Sequence, residues 1–235
     1  MGSRKPFLET ILGVVIAARR TAVGGALLGL MTVGACTPDA GPTGPETVVP
    51  NFGWNDGLTK LEEELLKQIE ESEKRRIKAA EEGSKAAYDS LKVLWQAFRD
   101  AKPDKDASPL LVCDPLQYKG EVKIIGRDGG DIDFGPHKLR IPQGALDRAT
   151  VITAELLTSL HVEARFSPHG LVFKKPPVLL VSYKHCYTPA DFSRRTVVYL
   201  NSQGEIVERP VSWDYPSYKD VAAEIWHFSR YAVAY

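Results

Sequence analysis

The sequence predicts a mainly β protein: an antiparallel β-sandwich preceded by one long α-helix and, before that, an exported leader. Two observations carry most of this. After about position 110, short apolar or alternating runs recur between turn residues, at 121–125, 138–141, 151–156, 162–166, 177–183, 196–200, 222–228 and 231–234, with no helical period among them. Before them, a stretch opening at Thr59 and closing ahead of Pro103 contains no proline and keeps charged residues four apart. The composition, 43% hydrophobic and 26% charged, is that of a globular chain with one modest core.

The first 35 residues read as a signal peptide. A basic segment ends in Arg19-Arg20, an apolar run follows from Thr21 to Ala35, and small residues stand at its exit. A spanning helix needs roughly 20 apolar residues. The apolar stretch at 11–18 is cut off from the main run by two arginines, so removal of the leader is expected rather than a permanent span. Val33-Gly34-Ala35-Cys36 resembles a lipobox. That resemblance implies that Cys36 becomes acylated and that the chain's first partner is a lipid bilayer. Several acyl chains, at about 0.8 kcal/mol per buried methylene, hold a protein there stably. Thr37, where an Asp would favour retention at the inner membrane, points by the same resemblance to the outer membrane or cell surface. An ordinary signal peptide with a coincidental cysteine is the alternative.

Residues 36–57 are rich in proline and glycine and read as a flexible tether. The helix is expected over 58–102, roughly 60 Å long at 1.5 Å per residue. Thr59 and Glu62 stand at capping-box spacing. Its apolar residues gather at the ends, Leu58, Leu61, Leu65, Leu66 and Ile69 at one and Ala87, Leu91, Leu94, Trp95 and Phe98 at the other, with Gln68, Ser72, Arg75 and Arg76 between them. This predicts a solvated middle and a docked C-terminal end, not a coiled coil.

Removing the leader takes Arg4, Lys5, Arg19 and Arg20 but only Glu9, so the mature chain is slightly acidic and no nucleic-acid partner is expected. Export also leaves Cys113 and Cys186 in an oxidising compartment, where they are expected to form a disulfide; two separately buried thiols are the alternative.

The domain expected over 110–235 carries a more specific succession. Gly129-Gly130-Asp131-Ile132 is followed by Leu139-Arg140-Ile141-Pro142-Gln143-Gly144-Ala145-Leu146, by Phe166-Ser167-Pro168-His169-Gly170-Leu171-Val172-Phe173, and by Pro176-Pro177-Val178 with Leu180-Val181-Ser182-Tyr183. From Gly129 to about Tyr235 this resembles the ZU-five domain of ankyrins, netrin receptors and many bacterial surface proteins. The resemblance implies a β-sandwich that works by protein–protein contact and needs no cofactor. The expected function is therefore a membrane-anchored envelope lipoprotein binding an unknown protein or envelope component, with a structural envelope spacer as one alternative.

Another alternative comes from His227-Phe228-Ser229. Some domains of this type cut themselves between Phe and Ser at this tripeptide. The resemblance then implies that His227 accepts the hydroxyl proton while Ser229 attacks the Phe228 carbonyl. Other candidates are blander. Asp128, Asp131 and Asp133 lack the bidentate Glu of a calcium loop and read as a solvated turn. His137, His161, His169 and His185 have no metal-ligand spacing, and Arg194-Arg195 reads as a solvated turn. The SWDYPSY stretch holds Trp213, Tyr215 and Tyr218 in a loop that either displays them to a glycan or protein or folds them back on the core. With no metal site, cofactor motif or catalytic pattern found, neither an enzyme nor a cofactor is expected.

Overall fold

The computed structural model describes residues 59–101, 109–188 and 194–235. The leader, Cys36, the tether and Leu58 lie outside the described residues, as do 102–108 of the linker. Helix α1 spans Lys60–Ala101. Its start follows from the cap: the Thr59 N–H donates to Glu62 Oε2 at 2.8 Å, and the Glu62 N–H donates back to Thr59 Oγ1 at 3.3 Å.

Eleven strands follow among the described residues. They are β1 (Lys119–Ile125), β2 (Gly130–Phe134), β3 (His137–Ile141), β4 (Thr150–Leu156), β5 (Glu163–Ser167), β6 (Val178–Ser182), β7 (Thr196–Leu200), β8 (Ile206–Glu208), β9 (Ser212–Tyr215), β10 (Asp220–Glu224) and β11 (Arg230–Ala234). They form two antiparallel sheets, ordered β1-β4-β5-β11-β7-β8 and β2-β3-β6-β10-β9, packed as a sandwich. Alternation decides what faces inward. Ile132, Phe134, Leu139, Leu179, Val181, Val221 and Ala223 from the smaller sheet meet Ile152, Ala154, Phe166, Val197, Tyr231 and Val233 from the larger. At the centre, Phe166 stacks on Phe228 at 5.2 Å and meets Phe134 edge-on at 5.5 Å. Gly129, at φ 72°, starts the turn into β2 where a Cβ would stand 2.2 Å from the Ile141 carbonyl oxygen.

Three strands depart from the expected set. β2 is short and carries two aspartates, so its Asp131 and Asp133 disguise the inward pair Ile132 and Phe134. β8 has three residues, too few for a period. β9 is polar inward and aromatic outward, the reverse of the usual pattern. The run expected over 222–228 ends as a strand at Glu224.

The helix corrects a further expectation. Its middle is not solvated on every side, because it lies against the outer face of β1 and β4. Ile77 is buried with Tyr118 and Val122, and Ala80, Val151 and Leu157 pack against the same cluster. This explains why β4 is buried on both faces over most of its length. Gly120 permits the approach: a Cβ there would lie 2.4 Å from Ile77 Cδ1 and 2.7 Å from its Cγ2. Gly120→Ala is therefore expected to cost about 1–3 kcal/mol. Urea denaturation would show the loss, and hydrogen exchange would place it in α1.

Polar contacts complete the docking. Glu155, with its side chain 1% exposed, accepts from Tyr118 Oη, from Arg165 Nε and Nη2 at 2.9 Å each, and from Arg76 Nη1 at 3.1 Å. Burial alone raises this carboxyl's pKa, but the donors from Arg165, Tyr118 and Arg76 outweigh it and hold Glu155 at about 2. Glu73 accepts from Thr153 Oγ1 at 3.1 Å, and Lys92 reaches Asp114 at 2.6 Å. Near the end of the helix Trp95 is buried and stacks on Phe98, which meets Tyr187 edge-on at 6.3 Å. The expected docking of the C-terminal apolar cluster is thus observed, although Leu94 stays exposed. Leu61, Leu65 and Ile69 at the other end are exposed. No described helix is long and apolar enough to cross a membrane.

Candidate functional site

The outer faces of the two sheets differ. The larger sheet is covered along β1 and β4 by α1, whereas the smaller presents a cross-strand row running Asp133, Lys138, Leu180, Ala222, Trp213. A second row reads Asp131, Arg140, Val178, Glu224, and a third Ser182, Asp220, Tyr215. The β2–β3 end carries charges of both signs, and the β9 edge carries the aromatics, with the acids Asp220 and Glu224 on β10 beside it.

Those charges are engaged with each other. Asp131 accepts from Arg140 Nε and Nη2 at 3.1 Å each, and Lys138 Nζ stands 3.4 Å from Asp131 and 3.1 Å from Asp133. The Arg140 guanidinium holds the Asp131 carboxyl below its usual range. Cations of the chain thus occupy Asp131 and Asp133, two of the three carboxylates of the calcium-loop candidate.

The aromatic edge is built from inside the sandwich. Asp214, its side chain 1% exposed, accepts from Tyr183 Oη at 2.7 Å and from the Arg195 N–H at 3.1 Å, with the Arg195 guanidinium 3.7 Å away. Ser212 Oγ accepts from the Val197 N–H at 3.2 Å and donates to the Pro210 carbonyl at 2.8 Å. With these polar side chains turned toward β7 and Tyr183, the strand's alternation turns Trp213 and Tyr215 out. They are 44% and 46% exposed, and Tyr218 in the following turn is 69% exposed. The two sequence alternatives for these aromatics resolve toward display. Arg195 is corrected as well: it is no solvated turn residue, being largely buried beside Asp214 with its guanidinium 5.5 Å from the Tyr183 ring centroid. Burial, then the bond to Asp214, raises the Tyr183 pKa.

The His227-Phe228-Ser229 segment links β10 to β11. Phe228 is fully buried and Ser229 is 3% exposed. The Phe228 carbonyl accepts from the Gly170 N–H at 3.0 Å, and the Ser229 carbonyl accepts from the Phe166 N–H at 3.0 Å. His227 Nε2 lies 3.4 Å from Glu208 Oε2, and its ring meets Tyr199 edge-on at 5.1 Å. The Tyr231 hydroxyl donates to the His227 carbonyl at 2.6 Å. Among the described residues no hydrogen bond joins the His227 ring to Ser229.

Cys113 and Cys186 form a disulfide, as expected, between segments 73 residues apart. Both are buried, and His185, whose place in the chain shows no ligand spacing, lies with them: its ring nitrogen and the two sulfurs fall within 4.8 Å of one another. Only the neighbouring positions of His185 and Cys186 hinted at this, because Cys113 arrives from a distant part of the chain. The other histidines scatter. His161 Nδ1 is 2.9 Å from the Leu111 carbonyl oxygen, His169 is exposed, and His137 Nδ1 accepts from the Ser182 N–H at 3.1 Å.

No protein-family model matches the chain, and no curated protein matches it at a significant level.

Proposed function

We propose that the chain is a membrane-anchored cell-envelope lipoprotein, held by acylated Cys36, whose β-sandwich is a protein-interaction or surface-binding module. Its contact surface is the aromatic edge of the smaller sheet. The observation that carries this reading is the exposure of Trp213, Tyr215 and Tyr218 on a strand and turn whose polar partners are drawn inward. Large amphipathic rings on a rigid edge are the side chains that dominate binding energy at protein interfaces. The ZU-five-like succession from Gly129 to Tyr235 supports the same class of function, and the lipobox-like Val33-Gly34-Ala35-Cys36 supports the anchor.

The test is site-specific photo-crosslinking in the native envelope, with a benzophenone amino acid at position 215 and a control at Gln203. A heterologous product from position 215 that is absent from the control and at least tenfold weaker with Trp213→Ala is expected. Equal products from both positions would refute the surface, and products containing only this chain would favour a structural spacer.

Self-cleavage between Phe228 and Ser229 is the second reading. One observation favours it: the Gly170 N–H already donates to the Phe228 carbonyl, where an oxyanion would form. On that reading wild-type chain accumulates as a product ending at Phe228, and Ser229→Ala abolishes the product. The binding-module reading expects both chains to stay whole.

A further inference from the structure

We propose that the chain, once its disulfide is reduced, binds one thiophilic metal ion, Zn²⁺ or Cu⁺, through the Sγ atoms of Cys113 and Cys186 and a ring nitrogen of His185. This site is separate from the aromatic edge and does not depend on the binding-module reading.

The ligand set comes first. Two thiolates and an imidazole are a donor combination that zinc and copper(I) take, with metal–sulfur distances near 2.3 Å and metal–nitrogen distances near 2.0–2.1 Å. Around a tetrahedral ion, donors at those distances stand roughly 3.5–3.8 Å apart. The two sulfurs are bonded to each other in the bridge, and the His185 ring nitrogen lies within 4.8 Å of both. Side-chain rotations that part the two sulfurs and close the imidazole on them would meet the requirement, leaving the fourth position to water.

The second observation is that the backbone around the donors is held by bonds that do not involve sulfur. The Cys113 N–H donates to the Leu160 carbonyl at 2.7 Å, and the Asp114 N–H to the His185 carbonyl at 2.9 Å. The Cys186 N–H donates to the Tyr183 carbonyl at 3.0 Å, and the Tyr187 N–H to the Val112 carbonyl at 2.9 Å. Two of these, Asp114 to His185 and Tyr187 to Val112, join the two segments directly on either side of the bridge, and they remain when the sulfur–sulfur bond is gone.

The chemistry balances through a named reductant. A dithiol donates two electrons and two protons to the Cys113–Cys186 bond, becoming a disulfide itself and leaving two thiols. Metal binding then displaces both thiol protons, giving two metal–sulfur bonds and releasing two protons to solvent.

The full-length chain, anaerobic, would be titrated with Co²⁺ before and after reduction by a phosphine, with far-ultraviolet circular dichroism monitoring the sheets. The oxidised chain is expected to bind no Co²⁺. The reduced chain is expected to bind one equivalent with a sulfur-to-cobalt charge-transfer band that Zn²⁺ abolishes by displacement. His185→Ala, which keeps the disulfide and therefore tests the site in a chain whose oxidised fold can be checked, is expected to weaken binding at least tenfold after reduction, as is Cys186→Ser. A folded reduced chain without the band, an unchanged titration in His185→Ala, or loss of the β spectrum on reduction would each overturn the proposal.

Discussion

Replacing both Cys113 and Cys186 by Ala is expected to destabilise the fold by about 4 kcal/mol, the cost of freeing a loop of this length in the unfolded chain. The bridge spans 73 positions, from the segment just ahead of β1 to the segment after β6, and so encloses most of the first half of the sandwich. For a unit of this size the loss corresponds to roughly 8–16 °C in melting temperature. Differential scanning calorimetry of the double variant measures it directly. A melting temperature within a few degrees of the parent would mean that residual structure in the unfolded chain already restricts the loop. In the reduced wild type, Zn²⁺ would restore part of the same stability if the proposed site forms, which separates the entropic contribution of the bridge from that of the metal.

Glu155→Gln is the second large effect, expected to remove about 3 kcal/mol at neutral pH. The figure follows from the shift itself: the carboxyl moves from an ordinary value of 4.5 to about 2 in the fold, and each unit is worth about 1.4 kcal/mol. The sign is fixed by linkage. A carboxyl whose folded pKa is depressed contributes its full stabilisation above the unfolded value and loses it as pH falls toward the folded one. The parent should therefore lose stability between about pH 5 and pH 2 more steeply than Glu155→Gln, and the two curves should converge at the acid end. Denaturation by urea across that range provides the comparison. Arg76→Ala should cost less, because Arg76 is itself 41% exposed in its side chain and Arg165 and Tyr118 continue to serve Glu155. Curves that run parallel for the parent and Glu155→Gln would assign the acid dependence to other carboxylates.

The parts of this fold that were legible in the sequence are those set by local rules. Thr59 and Glu62 announced the start of α1 through a cap that depends on three-residue spacing, and strands such as β4 and β7 announced themselves by β-branched and aliphatic density. The illegible parts are those in which a distant partner reverses the local meaning of a residue. Arg76 reads as solvated until Glu155 is placed beneath it by β4. Ser212 and Asp214 read as loop polarity until Val197, Arg195 and Tyr183 are found to satisfy them inside the sandwich. His185 carries no metal-ligand spacing in the chain, because the thiol that would complete its set lies 73 positions from Cys186.

The aromatic edge and the anchor make one account: a whole, disulfide-closed binding module tethered to a bilayer. Its most direct test is the intact mass of the full-length protein purified from its own membranes, under denaturing and non-reducing conditions. The account predicts one species that starts at acylated Cys36, is uncut between Phe228 and Ser229 and weighs two hydrogens less than the dithiol form. A species ending at Phe228, or one whose Cys36 carries no acyl group, would contradict it.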